Sequence, residues 1–154
     1  QALSVAAGVS LTAKRHEKSY RSYVILGDGE LQEGQTWEAA MFAASHHLNN
    51  LCLIIDLNSL QVEGHTDKVL KMEPIDKKFE AFGWNTIMVD GHNFSDLRDA
   101  FTSASNEIKK PTVLIAKTLV GKGCLSLEGQ LSHNMILPQN VAIRALEELG
   151  ERYD

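Results

Sequence analysis

The chain has 154 residues, with 15 Lys or Arg against 20 Asp or Glu, which gives a formal net charge of −5. This length is typical of one domain, and the mild acidity disfavours a nucleic-acid binder, which usually needs a basic patch. No apolar run approaches the ~18 residues of a membrane span, and two distant cysteines, Cys52 and Cys124, are too few for a disulfide framework or a zinc site. We therefore expect one domain, residues 1–154, with neither nucleic-acid nor membrane partners, in a reducing, cytoplasmic setting.

The start of the chain differs from that of a complete protein. The first residue is Gln1 rather than Met, and an apolar helical pattern follows at once. Neither a capping residue nor a basic-then-apolar signal segment precedes that pattern. We therefore predict a fragment of a longer subunit, incomplete at its N-terminus.

Short apolar runs alternate with helical patterns along the whole chain. Near-continuous apolar strands that alternate with helices favour an α/β fold, in which a parallel sheet has helices on both faces. In chain order, we predict a helix at 2–15, a strand at 23–26, a helix at 33–48, a strand at 51–55, a long functional loop at 59–73, a helix opened by Pro74 and ended by Gly83, a strand at 84–89, a helix with Ser95 as its N-cap that runs to 108, a strand at 112–116, a second long loop at 117–137 and a helix at 138–149.

Polar residues follow the first two predicted strands, where a parallel sheet binds its ligands. Asp28 and Asn58 lie 30 positions apart, the length of one strand–helix–strand unit. If the two strands are neighbours, their ends are about 5 Å apart. Carboxylate and amide oxygens suit Mg²⁺, which usually shares its shell with phosphates, and Gly29 would let a phosphate approach the backbone closely. The pattern predicts a metal-bridged diphosphate at this edge of the sheet.

Each half of this pair has an ordinary alternative. Gly-Asp-Gly alone is typical of a plain turn, and Asn58 alone is a common loop residue. The pair at this spacing is more specific, because both residues fall at predicted strand ends. The chain contains neither a GxGxxG nor a Walker A motif, which argues against dinucleotide and P-loop sites.

These residues resemble a known motif. Residues 27–34, 37–40 and 56–58 are similar to the thiamine-diphosphate motif of transketolases, which begins Gly-Asp-Gly and ends in Asn. The similarity extends over nearly the whole chain. The sequence of residues 30–35, Glu-Leu-Gln-Glu-Gly-Gln, is most similar to that of the N-terminal subunit of split transketolases. Further matches lie at residues 1–8, 82–84, 90–92, 117–118 and 121–123.

The resemblance implies a thiamine-diphosphate-binding fold and a set of cofactor ligands. The cofactors would be thiamine diphosphate and Mg²⁺, with Ca²⁺ or Mn²⁺ as substitutes. Asp28 and Asn58 would ligate the metal through their side chains, and Leu60 through its backbone carbonyl. Gly29 would contact the diphosphate through its N–H.

The resemblance also implies catalytic roles for three residues. Glu33 and Glu38 match family acids at the dimer interface that link two active sites, although both would also suit the start of a helix through its dipole. His133 aligns with a family histidine near the diphosphate and the donor substrate. The family usually has Gly after that histidine, whereas this chain has Asn134.

The implied reaction moves a two-carbon ketol unit from a ketose phosphate to an aldose phosphate, as in the pentose phosphate pathway. We find no segment in this sequence that resembles the family's pyrimidine-binding half. We therefore expect a partner subunit or domain, a homodimer or heterotetramer, and no activity for the chain alone. The alternatives are a related enzyme such as deoxyxylulose-phosphate synthase, or a non-catalytic paralogue for assembly or regulation. The metal ligands and interface acids argue against the paralogue.

The sequence gives less specific indications for five further residues. His65 and His92 each follow a glycine in a loop and are predicted at turns or the surface. Lys122 would either touch a substrate phosphate or stay solvated. Trp37 and Trp84 are predicted in the core.

Overall fold

The computed structural model describes residues 1–150. None of the helices in this range is both long and apolar enough to span a bilayer. The elements are α1 (Ala2–Arg15), β1 (Ser22–Gly27), a 3-10 turn (Asp28–Gln32), α2 (Gly34–Ser45), β2 (Leu51–Leu57), β3 (Leu60–Gln61), β4 (Gly64–His65), α3 (Thr66–Val69), α4 (Ile75–Phe82), β5 (Asn85–Asp90), α5 (Phe94–Asn106), β6 (Thr112–Lys117) and α6 (Gln139–Glu148).

Four parallel strands form one sheet in the order β1-β2-β6-β5. The register pairs Gly27 at the end of β1 with Asp56 on β2, and Asp56 in turn with Ala116 on β6. The predicted parallel α/β sheet is therefore confirmed. Because all four strands run the same way, their carboxyl ends meet at a single edge of the sheet.

Helices pack on both faces of the sheet. On one face, α1, α2 and α4 bury alternate residues of β1, β2 and β6, including Val24, Leu53 and Ile115. On the other face, α5 packs against β2, β5 and β6 through small residues such as Ala100 and Ala104. This second face is only partly covered, because Tyr23 and Ile25 of β1 remain 51% and 68% exposed.

The N-cap of α5 differs from the prediction. Asn93, not Ser95, caps the helix, because its Oδ1 accepts hydrogen bonds from the N–H groups of Ser95 at 2.9 Å and Asp96 at 3.3 Å. Both residue types are good caps, and the side chain that reaches the free N–H groups decides the boundary. The helix therefore begins at Phe94.

Helix α2 is shorter than predicted at both ends. A 3-10 turn takes up residues 28–32, so Glu33 becomes the N-cap residue rather than the first helical one. At the other end, His47 has a φ of 50°, which turns the chain after Ser45. The buried face is formed by Ala39, Ala40 and Ala43, whereas Met41 is 48% exposed.

The segment at 59–73 is not a plain loop. Its first part folds into the short antiparallel hairpin β3–β4, where Leu60 pairs with His65. The single helical turn α3 follows directly. The hairpin brings this segment back over the ends of β1 and β2.

Gly91, at the exit of β5, occupies a place that no other residue fits. A Cβ there would lie 2.5 Å from Thr118 Cγ2 and 3.0 Å from the backbone oxygen of Lys117. The Gly91 N–H donates to that same Lys117 oxygen at 2.8 Å. Glycine at this position lets the exits of β5 and β6 approach each other.

The Gly91→Ala variant is expected to lose about 1–3 kcal/mol of unfolding free energy, the usual cost of overpacking. The measurement is urea unfolding followed by circular dichroism. Gly8→Ala is the matched control, because a Cβ at Gly8 meets nothing within 4 Å. That control lies inside α1 and is expected to gain up to about 1 kcal/mol. Equal stability of the Gly91→Ala variant and the unmodified chain would contradict this view of the strand exits.

Candidate functional site

A cavity of about 460 Å³ opens at the carboxyl ends of β1 and β2. Its floor comes from the residues that follow these two neighbouring strands, and the β3–β4 hairpin forms one wall. The lining residues are Gly27, Gly29, Glu30, Glu33, Asp56, Asn58, Leu60, Gln61, Val62, Glu63 and His133.

Five of the residues singled out from the sequence meet in this cavity: Gly29, Glu33, Asn58, Leu60 and His133. They come from four separate segments of the chain, the 3-10 turn, the start of α2, the exit of β2 with its hairpin, and the loop after β6. The parallel pairing of β1 with β2 brings the first three segments together, and the loop at 118–138 brings His133 to them.

Asp28 lies beside this cavity rather than in it. Its side chain is 2% exposed and borders a smaller cavity of about 100 Å³ together with Ser59 and Thr66. The Oδ2 atom accepts from the Ser59 N–H and from the Thr66 hydroxyl, each at 3.0 Å, and Oδ1 accepts from the Gly29 N–H at 3.1 Å. Burial raises the pKa of the Asp28 carboxyl, and these three hydrogen bonds partly offset that effect. The carboxylate therefore ties the end of β1 to the turn after β2.

The space beside Gly29 is too small for a side chain. A Cβ on it would lie 3.1 Å from Gln61 Cβ, closer than ordinary van der Waals contact. Gln61 is itself held in place, since its Oε1 accepts from Gln32 Nε2 at 2.7 Å. The small residue lets the hairpin close over the turn while the backbone at position 29 still faces the cavity.

The side-chain amide of Asn58 is held at both ends. Its Nδ2 donates to Asp56 Oδ2 at 2.9 Å, and its Oδ1 accepts from the Leu60 N–H at 2.9 Å. A carbonyl oxygen has two acceptor positions. Asn58 Oδ1 therefore keeps one of them for a further partner.

The cavity is rich in carboxylates. Glu30, Glu33, Asp56 and Glu63 line it, with His133 as the basic group among the lining residues. A hydrogen bond from the Gln61 amide lowers the pKa of the exposed Glu63 carboxyl, and nearby His133 adds to that effect. Such a lining repels a bare diphosphate and attracts a cation.

The oxygen atoms near the cavity fit a hard divalent cation. Within residues 1–150, no three His, Cys, Asp or Glu side chains come together as a metal-binding cluster. The oxygens nearest the two strand exits are instead those of the Asp28 carboxylate beside the cavity, the Asn58 amide and backbone carbonyls such as that of Leu60. This is the kind of set that leaves Mg²⁺ room for waters or phosphate oxygens.

Glu33 and Glu38 face different surfaces. Glu33 is the N-cap residue of α2, makes no capping hydrogen bond with its side chain, and lines the cavity. Glu38 lies beyond the first turn of α2 and borders a separate groove of about 340 Å³ between α1 and α2, with Gly8 and Phe42. Glu38 is therefore too far along α2 to be explained by the helix dipole, whereas Glu33 lies at the helix N-terminus, where the dipole also favours an acid.

The Asn that follows His133 has the backbone of a glycine. Asn134 has a φ of 56°, and the Met135 N–H donates to the Ser132 oxygen at 3.0 Å, which closes a four-residue turn. Turns with a positive φ at the third residue favour Gly or Asn there. Asn134 thus preserves the turn that presents His133 to the cavity.

Sequence reasoning missed two contributions. Glu30 lines the cavity, and its carboxylate accepts from the Gly27 N–H at 2.8 Å, which caps the 3-10 turn. His92, predicted as a surface residue, is exposed, but its Nε2 accepts from the Leu119 N–H at 2.7 Å and anchors the loop that leads to His133. The sequence signal for the role of Glu30 is a Glu two residues after an Asp at a strand end. The role of His92 has no local signal, because it depends on a contact between distant segments.

Lys122 lies outside the cavity. Its Nζ is 3.3 Å from Glu128 Oε1, which also accepts from the Gly123 N–H at 3.0 Å. His65, in β4, is exposed and likewise does not line the cavity.

Comparison with known proteins places these features in a family. Residues 6–150 match the family described as "Transketolase, thiamine diphosphate binding domain". A 6-deoxy-6-sulfo-D-fructose transketolase subunit from Clostridium sp. (strain MSTE9) is 39% identical over 150 residues, which cover 97% of this chain and 54% of that protein. The transketolase of Homo sapiens is 42% identical over 151 residues, which cover 97% of this chain and 24% of that protein.

A solved structure has the same architecture. The transketolase from Campylobacter jejuni superposes with a TM-score of 0.87 at 32% identity, over 97% of this chain and 25% of that one. The chain therefore spans about half the length of the subunit that it matches and about a quarter of the longer transketolases.

The positive φ of Asn134 can be tested by substitution. Asn134→Gly is expected to keep the turn, whereas Asn134→Val should weaken it by about 1–2 kcal/mol, because a β-branched residue at positive φ is strained. The measurement is amide hydrogen exchange at Met135, which should speed up about 5–30-fold in the Val variant and stay unchanged in the Gly variant. Identical exchange in both variants would mean that the left-handed conformation of Asn134 is not required.

Proposed function

The chain belongs to the transketolase thiamine-diphosphate-binding domain family, and from that premise we propose that it anchors thiamine diphosphate in a transketolase through a divalent cation. The observation that carries the proposal is the meeting of Gly29, Glu33, Asn58, Leu60 and His133 in one cavity at the ends of β1 and β2. Asp28, beside this cavity, ties the end of β1 to the turn after β2 by accepting a hydrogen bond from the Ser59 N–H.

The proposed cation ligands are oxygen atoms at the two strand exits. Asp28 and Asn58 would contribute side-chain oxygens and Leu60 its backbone carbonyl, with Mg²⁺ as the ion and Ca²⁺ or Mn²⁺ as substitutes. The cation is also an electrostatic requirement, because Glu30, Glu33 and Asp56 line the same cavity and would repel a diphosphate. Backbone at Gly29 would then face the diphosphate.

The remaining residues would act on the substrate and on the neighbouring subunit. Thiamine diphosphate supplies the carbanion chemistry that moves a two-carbon ketol unit from a ketose phosphate to an aldose phosphate. His133 would bind and orient the donor, since its ring faces the cavity from a fixed turn. Glu33 faces the same cavity and Glu38 the groove between α1 and α2, so together they would connect the site to a subunit interface.

The partner is proposed to be a pyrimidine-binding domain or subunit. What supports this is the length of the chain relative to its relatives, one of which is itself named as a subunit. The assembly would be a homodimer or a heterotetramer. We place it in the cytoplasm, where thiols such as the free Cys52 and Cys124 stay reduced.

Cofactor binding should depend on the cation. In calorimetry, thiamine diphosphate is expected to bind with Mg²⁺ present and to show no binding in excess EDTA, with Mn²⁺ or Ca²⁺ restoring it. Asp28→Ala should remove this cation-dependent binding. Asp99→Ala is the control, because it removes an equal charge from an exposed site on α5 that is distant from the cavity.

Two outcomes would contradict the proposed role of the cation in binding thiamine diphosphate. One is binding of the cofactor in EDTA with undiminished affinity. The other is an Asp28→Ala variant that binds as tightly as the unmodified chain while remaining folded by circular dichroism.

Catalysis should require the second half of the site. The chain alone is expected to show no ketol transfer between pentose phosphates, whereas the chain mixed with a pyrimidine-binding subunit should be active. His133→Ala in the mixture should lower the rate, while Lys122→Ala, which alters a loop ion pair outside the cavity, should not. Transfer activity of the chain alone would refute the missing-half proposal.

A further inference from the structure

Asp56 enters the function proposed above only through its charge, yet its side chain also makes two specific hydrogen bonds. Asp56 is the sixth residue of β2 and is half-buried at its carboxyl end. Its Oδ2 accepts from Asn58 Nδ2 at 2.9 Å, and its Oδ1 accepts from the Thr118 hydroxyl. The two oxygens of one side chain therefore join two residues at the ends of β2 and β6.

This contact decides which way the Asn58 amide faces. An ionised carboxylate only accepts hydrogen bonds, and the Leu60 N–H only donates, so Nδ2 must face Asp56 and Oδ1 must face Leu60. Rotation of the amide by half a turn would set oxygen against oxygen and N–H against N–H. Asp56 and the Leu60 N–H thus both favour the orientation in which Asn58 Oδ1 keeps its second acceptor position for a further partner.

Thr118 is in turn held from three directions. Its hydroxyl donates to Asp56, its backbone N–H donates to the Leu57 oxygen at 3.2 Å, and its Cγ2 lies against Gly91, where a Cβ would approach to 2.5 Å. The side chain therefore has little rotational freedom. Three neighbouring strand exits, those of β2, β6 and β5, fix the position of the hydroxyl that anchors Asp56.

We propose that Asp56 is a positioning residue, which Thr118 and Gly91 hold in place and which presents the Asn58 oxygen to the cation. The inference rests on the proposed function, in which Asn58 is a cation ligand. Side chains that orient a metal ligand typically change metal affinity 10–100-fold when they are removed. Without Asp56, only the Leu60 N–H would hold the amide in this orientation, and its broad two-fold torsion would let the NH₂ group face the cation more often.

The experiment measures the Kd of thiamine diphosphate by calorimetry at fixed Mg²⁺, together with the melting temperature of the ligand-free chain. Asp56→Ala is expected to raise the Kd about 10–100-fold. Asp56→Asn should recover most of the affinity, because its oxygen can accept from Asn58 while its NH₂ donates to the Thr118 hydroxyl. Rescue by this variant separates orientation of Asn58 from a charge effect.

A second pair of variants tests the hydrogen bond between Thr118 and Asp56 by changing Thr118. These variants remain informative if Asp56→Ala does not fold. Thr118→Val keeps the shape beside Gly91 but removes the hydroxyl, and should raise the Kd by less than Asp56→Ala does. Thr118→Ser keeps the hydroxyl and should restore the affinity. Equal affinities for these two variants would overturn the proposed chain of contacts.

A double-mutant cycle separates this inference from the proposed function. If Asp56 acts through Asn58, Asp56→Ala should cost little further affinity once Asn58 is already Ala. If Asn58→Ala binds normally, the cation-ligand proposal itself is wrong. If Asn58→Ala weakens binding but Asp56→Ala adds its full cost to it, or only lowers the melting temperature, the positioning role of Asp56 is overturned.

Discussion

The pairing of β1 with β2 is the constraint on which the site depends. Because these parallel strands are in register from Ser22 opposite Leu51 to Gly27 opposite Asp56, the chain leaves both at the same edge and height. The turn after β1 supplies Asp28, and the turn after β2 supplies Asn58. A shift of one residue would turn each side chain to the opposite face of the sheet and separate these groups. The apolar contacts of Val24, Leu53 and their neighbours with the helices thus also fix the geometry of the polar edge.

Hydrogen bonds within the chain then organise that edge. Asp28 is almost fully buried, and its three donors belong to the turn beside it, the turn after β2 and the start of α3. Asn58 is fixed by Asp56 on one side and by the Leu60 N–H on the other. Oxygens that are held in place in this way lose little freedom on binding a cation, which is the physical basis of a preorganised site. The negative charge of the surrounding carboxylates then means that the cavity attracts a cation and repels an anion.

Much of this arrangement follows from the sequence, because strands and helices repeat with different periods and the strand exits are marked by Asp28 and Asn58. Of the residues that the family resemblance singles out, Gly29, Glu33, Asn58, Leu60 and His133 line the cavity. Asp28 borders the smaller cavity beside it, and Glu38 borders the groove between α1 and α2. Three features do not follow from local patterns. The direction of the Asp28 side chain is set by a hairpin within a segment that has no clear period. The choice of Asn93 over Ser95 as a cap depends on which side chain reaches the free N–H groups. The contact of His92 with Leu119 joins residues whose proximity only the finished sheet creates.

The partly covered face of the sheet has a consequence for handling the protein. Within the described residues β1 pairs only with β2, so its outer edge carries unpaired backbone groups beside the exposed side chains of Tyr23 and Ile25. An uncovered edge strand with apolar neighbours is a template for strand addition from another molecule. This chain, expressed by itself, would therefore be prone to aggregate through β1 as its concentration rises. A charged substitution such as Ile25→Lys would oppose that association, and Ile25 does not line the cavity.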